Sequence, residues 1–314
     1  MAVDIAHAAA GRILCVGALT MDTIYRMHRL PDGPGKFLPI EAMEIAEGMA
    51  ASAACSVARL GGKVALWGSV GDDAVGARGI AAMEAEGVDC SLIRPVPGIP
   101  SAISAVLVDD GGERIIVPFY HPRLWDNPQP PGEIFAATLV DVRWPQAAAL
   151  ALQLARGAGR PGIFDADVGP PETLHRLAPL ASHIVASKPG GQLLTGEDEA
   201  EAAVEALAAR YEAMVVVTAG GEGAWWREPG GTIRHTRAPK VDVVDTTAAG
   251  DVFHGAFALG LSEGMSGEAL IRFASAAAAV KCTRFGGRLG APGRAETEAL
   301  LDSAYQGQPS PDSR

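Results

Sequence analysis

Several functional classes are excluded by what this chain lacks. It carries only four cysteines in 314 residues, Cys15, Cys55, Cys90 and Cys282, and none stands in a C-x-x-C pair. Neither a zinc site nor a redox motif is therefore signalled. Cys15 and Cys55 sit in apolar runs and read as buried thiols. The seven histidines show no metal-ligand spacing. Positive charge is in deficit: 26 Lys and Arg against 37 Asp and Glu give a net charge of -11. That balance disfavours nucleic acid or an anionic membrane surface as a partner. No run approaches the ~18 apolar residues that would read as a membrane span. The opening residues lack a basic region followed by an apolar core, so no secretory signal is read and a reducing, cytoplasmic setting is expected. There is no internal repeat. Residues 303–314, polar and proline-containing, are expected to form a disordered tail.

What is present suits a large globular unit. Hydrophobic residues make up 48% and charged residues 20%, enough to bury a sizeable core. The length fits two ordinary domains or one large α/β domain with an appendage. Short apolar runs alternate with helix-like segments. Arg12–Gly17, Val64–Val70, Thr138–Val142, Gly162–Asp165, His183–Ala186 and Met214–Thr218 read as strands. Ala50–Leu60, Gly79–Glu86, Pro145–Gly157, Glu199–Tyr211, Ala249–Leu261 and Gly267–Lys281 read as helices. That order predicts a parallel sheet flanked by helices. An edge hairpin is expected from Ala224–Trp226 and Ile233–His235. Two stretches break the alternation, residues 23–46 and 100–120. The second holds a tight Asp109-Asp110-Gly111-Gly112 turn between two apolar runs and reads as a β-hairpin. Together they predict a small discontinuous sheet able to act as a lid.

Residues 245–256 carry the chemistry: Asp245-Thr246-Thr247-Ala248-Ala249-Gly250-Asp251, then an apolar helix-like run. Amides at a helix N-terminus attract anions such as phosphate, and a carboxylate beside them can take a proton from an attacking hydroxyl. Asp251 is thus a candidate base, and the amides of Ala248, Ala249 and Gly250 a candidate anion hole; an ordinary helix cap is the alternative. Asp245 and Thr247 could hold a cation or only a turn. Asp22, five residues beyond a strand that ends at Gly17, could accept sugar hydroxyls or be a solvated loop residue. Small residues around Gly48 would let a ligand approach the backbone, or only permit close helix packing. Thr218-Ala219-Gly220-Gly221-Glu222-Gly223 is a phosphate-cradling loop or a plain turn. Arg143 follows a buried strand and suits an oxyanion or a salt bridge. Arg284, Gly287 and Gly290 lie in a basic, glycine-rich segment that could border a nucleotide or simply cap a helix. His254 reads as part of the helix that follows the base.

These segments, in this order, resemble the ribokinase-like (PfkB) carbohydrate kinases over about residues 11–295. The resemblance rests on Asp245–Asp251 and on Gly71-Asp72-Asp73-x-x-Gly76 following Ala58-Arg59-Leu60-Gly61. It implies one kinase domain, a Rossmann-type three-layer α/β/α core with a small β-sheet lid that serves many members as a dimer clasp. It also implies ATP and Mg²⁺, with K⁺ in some members. By resemblance, Asp251 is the base and Ala249 and Gly250 the anion hole. Asp22 and Gly48 contact sugar, Thr218, Gly220 and Gly223 form the nucleotide turn, and Asp245, Thr247 and Gly290 match monovalent-cation positions. Within the family the chain is similar to the sulfofructose kinases, through Met21-Asp22-x-Ile24-Tyr25, Gly35-Lys36, Asp141-Val142-Arg143-Trp144 and Lys281-Cys282-Thr283-Arg284-x-Gly286-Gly287-Arg288. There Lys36 and Arg143 would meet a sulfonate.

Three positions depart from that pattern. Pro118 stands where an Asn is expected. Glu47-Gly48 replaces paired glycines, which sets a carboxylate beside an anionic sugar. Gly190-Gly191-Gln192-Leu193 replaces the Asn-x-x-Glu segment that helps organise metal, leaving Mg²⁺ to ATP phosphates and water. The expected function is ATP-dependent phosphorylation of a primary hydroxyl on a ketose-type sugar, sulfofructose or a fructose-like one, by a homodimer. The alternatives are another acceptor (ribose, 2-keto-3-deoxygluconate, a nucleoside) or a sugar-binding protein that has lost catalysis.

Overall fold

The computed structural model describes residues 11–305. The first part contains β1 (Ile13–Val16), β2 (Thr20–Arg26), β3 (Glu41–Glu47), α1 (Met49–Arg59), β4 (Val64–Trp67), β5 (Ser69–Gly71), α2 (Ala74–Ala85) and β6 (Arg94–Val96). The middle contains β7 (Ile103–Val108), β8 (Arg114–Phe119), β9 (Ala137–Val140), α3 (Pro145–Gly157), β10 (Gly162–Ala166), α4 (Pro171–Leu177), β11 (His183–Ser187), α5 (Lys188–Thr195) and α6 (Ala200–Arg210). The last part contains β12 (Met214–Thr218), β13 (Ala224–Arg227), β14 (Arg234–Thr236), α7 (Ala249–Ser262), α8 (Gly267–Cys282) and α9 (Arg294–Tyr305).

Strand side chains alternate between two faces, and here both faces are covered, so the strands are apolar throughout. In β1, Ile13 and Cys15 enter the core shared with α1, α7 and α8, while Leu14 and Val16 enter the core shared with α3, α4 and α6. The result is an α/β/α sandwich. Its eight-stranded sheet has the order β14-β13-β12-β11-β10-β9-β1-β4. Neighbours from β12 to β4 pair in parallel, and the β13–β14 edge is antiparallel. Strand order reverses between β1 and β9, and the carboxyl ends of those strands open the crevice where ligands bind in such sheets.

Beyond that crevice lies a second sheet, ordered β3-β2-β7-β8. It joins the two stretches that interrupted the alternation. β2 pairs antiparallel with β3 and parallel with β7, and β8 forms an edge. Because β2 begins at Thr20, Asp22 lies within a strand of this small sheet, opposite Ile45 and Ser104, and not in a loop after β1. Every residue of β8 is exposed, and Ile116, Val117 and Phe119 are 50%, 61% and 50% accessible.

Other differences from the sequence reading have local causes. The run Val64–Val70 is split at Gly68, where a side chain would meet Gly17 O at 3.0 Å, and β5 leaves the main sheet to pair with β6. Helix α5 contains Gly190 and Gly191, which weaken helix propensity. It forms because Ser187 caps it, accepting from Gly190 N at 3.1 Å, and because Gly190 lies so close to β10 that a Cβ would stand 1.8 Å from Ala166 O. Helix α9 takes up residues 303–305, which were expected to be disordered; residues 306–314 lie outside the described residues. No helix among the described residues is long and apolar enough to cross a membrane.

Candidate active site

The segment Asp245–Asp251 turns tightly onto the start of α7. Thr247 N donates to Asp245 Oδ1 at 2.8 Å. Ala248 takes the left-handed conformation, φ 60°, as the cap of the helix. Ala249 N is used within the turn, donating to Thr246 O at 3.2 Å. The amides of Ala248, Gly250 and Asp251 have no partner among the described residues, which leaves donors and the positive end of the helix dipole facing the crevice. Asp251 stands in the first turn, half-buried, and its carboxylate has no hydrogen-bond partner among the described residues. Burial pushes its carboxyl well above the ordinary carboxylate range, and the charges of Asp165, Glu47 and Asp167 push the same way against His254. A carboxylate so placed binds a proton more tightly than one in water, as a general base requires.

Two acids at the end of β10 adjoin it. Asp165 is buried, and burial, with the charges of Asp167 and Asp141, raises its carboxyl well above the usual range. His254 Nε2 lies 3.3 Å from Asp165 Oδ1, but that nitrogen is better directed at Val185 O, 3.1 Å away, and Asp165 Oδ1 accepts no hydrogen bond. His254 Nδ1 lies 2.7 Å from Gly250 O. Asp167 accepts from Ser187 Oγ at 2.6 Å. Among the described residues, no group of three or more His, Cys, Asp and Glu side chains is placed to hold a metal ion.

The opposite wall of the crevice comes from the ends of β1 and β9 and from the small sheet. Asp141, fully buried after β9, gathers three amides: Ala18 N at 2.9 Å, Ala50 N at 3.2 Å and Arg143 N at 2.7 Å. It thereby ties the loop after β1 to the first turn of α1. Gly48 caps that helix with φ 113°, and a Cβ there would stand 2.5 Å from Ala18 O, so only glycine fits. Glu47 is buried and hydrogen-bonded within the protein, close enough to Asp22 and Asp251 for their charges to interact. Its carboxylate accepts from Arg288 N at 2.7 Å and from the Ser52 hydroxyl. Burial lifts its carboxyl to about 7, against the lowering effect of those two donors.

Polar atoms on this wall are left open. Asp22 Oδ1 and Ser104 Oγ, neighbours across β2 and β7, are buried and make no hydrogen bond of good geometry; burial raises the Asp22 carboxyl, against the lowering effect of the nearby Thr20 and Ser104 hydroxyls. Arg143 Nε is likewise buried and unpartnered, with the guanidinium 5.9 Å from the centre of the Tyr120 ring. Lys36 is apart from this group, exposed in the loop between β2 and β3.

The nucleotide-turn candidates form the connection from β12 to β13. Thr218 ends β12, and Gly220 and Gly223 both have positive φ, 55° and 101°. Ala219 N donates to Gly223 O at 2.8 Å and closes the turn. The basic segment after α8 disperses. Lys281 is fully buried with its ammonium on Asp245, 3.0 Å from Oδ2. Arg284 points out to an exposed ion pair with Glu296. Arg288 is buried, with Nη1 2.9 Å from Glu86 Oε1. Gly287 N, with φ 54°, donates to Asp245 Oδ2 at 3.2 Å, and Gly290 packs against Arg284 and the Lys281 carbonyl.

The description pfkB family carbohydrate kinase matches residues 10–294 of this sequence. The chain belongs to that family. It is 30% identical to the ribokinase of Haemophilus influenzae over 285 residues, covering 86% of this chain and 92% of the relative. A crystal structure of a provisionally assigned ribokinase from Agrobacterium tumefaciens superposes with a TM-score of 0.91 at 47% identity, covering 94% and 98% of the two chains. The Salmonella enterica aminoimidazole riboside kinase, solved with aminoimidazole riboside and an ATP analog, superposes with a TM-score of 0.77 at 25% identity, covering 92% and 99%.

In this carbohydrate kinase several structural partners of the site had no sequence signal of their own. Asp165 ends one of the strands read from the sequence, and Asp167 and Ser187 follow strand ends, but none of the three carries a motif that marks it. Asp141 and Lys281 were visible as motif members, but a motif does not say that one gathers three amides and the other buries an ammonium. The available signal was position: acids one residue inside or beyond the carboxyl end of a parallel strand lie at the crevice.

Proposed function

We propose that this carbohydrate kinase transfers the γ-phosphate of ATP to a primary hydroxyl of a sugar held between the two sheets. The observation that carries the reading is Asp251, an unpaired carboxylate in the first turn of α7 beside the open amides of Gly250 and Ala248. Asp251 accepts the hydroxyl proton as that oxygen bonds to the γ-phosphorus. The bond to the bridging oxygen breaks, and ADP leaves. The open amides and the helix dipole stabilise charge on the transferring group. Asp22 and Ser104 receive sugar hydroxyls, and the small sheet covers them and excludes water. The nucleotide lies toward Thr218, Gly220, Gly223 and Gly287. The ATP analog bound to the Salmonella relative supports ATP as donor.

Mg²⁺ fits as a passenger on the nucleotide. The buried, unpartnered Asp165 Oδ1 and the neighbouring Asp167 are the hard oxygen groups able to meet its hydration shell. When bound, the ion neutralises charge on the phosphates.

The acceptor reading is a ketose-type sugar with an anionic end, because Arg143 offers a buried unpaired Nε to an oxyanion. With Glu47 tied inward by Arg288 N and Ser52, the expected repulsion of such a sugar is reduced. A coupled ADP-release assay over sulfofructose, fructose, fructose phosphates, ribose, 2-keto-3-deoxygluconate and nucleosides tests this. Turnover confined to neutral pentoses would move the acceptor to ribose, and no turnover with any acceptor would favour a sugar-binding role. The exposed apolar edge strand β8, with Ile116, Val117 and Phe119, supports a dimer closed through the small sheet. Light scattering of a Val117→Lys variant, expected to be monomeric, checks it.

A further inference from the structure

Lys281 is 0% exposed, the most buried charge among the described residues of the C-terminal half. Its ammonium meets only oxygens: Asp245 O at 2.7 Å, Asp245 Oδ2 at 3.0 Å and Arg284 O at 3.4 Å. A carboxylate and converging main-chain carbonyls make up the ligand set that a small hard cation takes from a protein. The same carboxylate holds the glycine turn, accepting from Gly286 N at 3.1 Å and Gly287 N at 3.2 Å, and its other oxygen accepts from Thr247 N at 2.8 Å. Strung on one ammonium are therefore the end of α8, the turn that follows it, and the loop that delivers the open amides of α7. Lys281 and Thr247 are the groups that hold the Asp245 carboxyl below its ordinary range, against the effect of burial. Gly290, the third position expected around a monovalent cation, stands with its missing Cβ 3.3 Å from the Lys281 and Arg284 carbonyls. A potassium ion between Asp245, Thr247 and Gly290 would meet a like charge already bound to the carboxylate, so the residues present do not fit it.

We propose that the Lys281 ammonium is a built-in replacement for a monovalent cation, so that this kinase requires no potassium. Lys281 is a positioning residue: it fixes Asp245 and, through it, the turn that presents the α7 amides. The role in catalysis rests on the proposed phosphoryl transfer; the role in holding the turn does not.

The test therefore has a stability arm and an activity arm, both at constant ionic strength with tetramethylammonium exchanged for potassium or ammonium. For the unaltered protein, melting temperature and kcat are expected to stay level, within about twofold for kcat. A potassium activation of about fivefold or more, the usual size of an effector coupling, overturns the proposal. In Lys281→Ala the ligands remain and the ammonium is gone. Its kcat in tetramethylammonium is expected to fall about 100-fold with little change in acceptor KM, as for a misplaced transition-state contact. Potassium or ammonium should restore its melting temperature and part of kcat. Lys281→Met, which fills the space with an apolar chain, should lose activity without rescue. A Lys281→Ala protein as stable and active as the parent in tetramethylammonium, or one whose melting ignores potassium and ammonium, overturns the proposal. If that variant does not fold in any salt, the unaltered protein's cation response decides. Melting needs no sugar, so failure to find an acceptor leaves the stability arm standing.

Discussion

The two walls of the crevice are built on opposite terms. The wall around Asp245 is internally satisfied: its carboxylate takes four donors, Lys281 Nζ, Thr247 N, Gly286 N and Gly287 N. The wall made by the small sheet and the end of β9 is unsatisfied, with Asp22 Oδ1, Ser104 Oγ and Arg143 Nε buried and unpaired. Buried polar groups left without partners cost free energy that a ligand can recover. The first wall thus resembles a scaffold that holds a reaction geometry, and the second a receptor awaiting hydroxyl and anionic groups. On this view the transfer chemistry is pre-set and the identity of the acceptor is decided by the open groups.

Substitutions can break or sharpen that contrast. The largest effect is expected from Asp251→Asn, which keeps shape and removes the base: kcat should fall by about 10²- to 10⁴-fold with acceptor binding retained, measured by steady-state kinetics and by calorimetry with the acceptor. Substantial residual turnover would remove Asp251 from the mechanism.

Next comes Glu47, whose carboxyl is lifted from 4.5 to about 7. Below its ordinary value it is neutral in both folded and unfolded chains. Between about 4.5 and about 7 the unfolded chain has given up this proton while the folded chain still holds it, so stability falls across that window and levels off above it. The loss amounts to about 3 kcal/mol at one pKa unit per 1.36 kcal/mol. Glu47→Gln can keep both hydrogen bonds, Arg288 N to its carbonyl and its amide to Ser52. Urea unfolding at about pH 5 and about pH 8 should then show a smaller loss than in the parent. An equal loss in both proteins would assign it to other acids.

Arg143→Ala should raise KM for an anionic acceptor about 10- to 100-fold while changing a neutral sugar much less. The variant should lose little stability, about 1 kcal/mol, through the cation–π contact with Tyr120 and the charge that Arg143 offers the buried Asp141. A large stability loss would make Arg143 structural. The smallest effect belongs to the scaffold wall. Ala248→Gly removes the Cβ penalty at φ 60° and should stabilise by about 1 kcal/mol or less, since glycine also loses more chain entropy on folding. A destabilised variant would mean that the Ala248 methyl packs to advantage.

Much of the architecture was legible because its signals are local. Buried strands read as short apolar runs, helices as longer periodic ones, and the second sheet showed itself where that rhythm failed. Helices α5 and α9, besides the short α4, were not legible. The first depends on Gly190 nesting against Ala166 O, a contact between residues far apart in the chain, and the second is amphipathic only weakly. Asp22 was legible as a candidate but not as a strand residue, because pairing with Ile45 and Ser104 is what makes it one.

By itself, then, the sequence determined the fold class, the order of its layers and the segment that carries an acid at a helix start, all consequences of side-chain period and local turn chemistry. Only the tertiary structure decided the fates of charges that look alike in the chain. Lys281, Arg284 and Arg288 share one short segment, yet one is buried on Asp245, one pairs outward with Glu296 and one is enclosed near Glu86. Glu47, expected beside the sugar, is a buried acceptor for Arg288 N. The physical reason is that a charge's cost and effect depend on what surrounds it, and those surroundings come from elements up to 242 residues away along the chain.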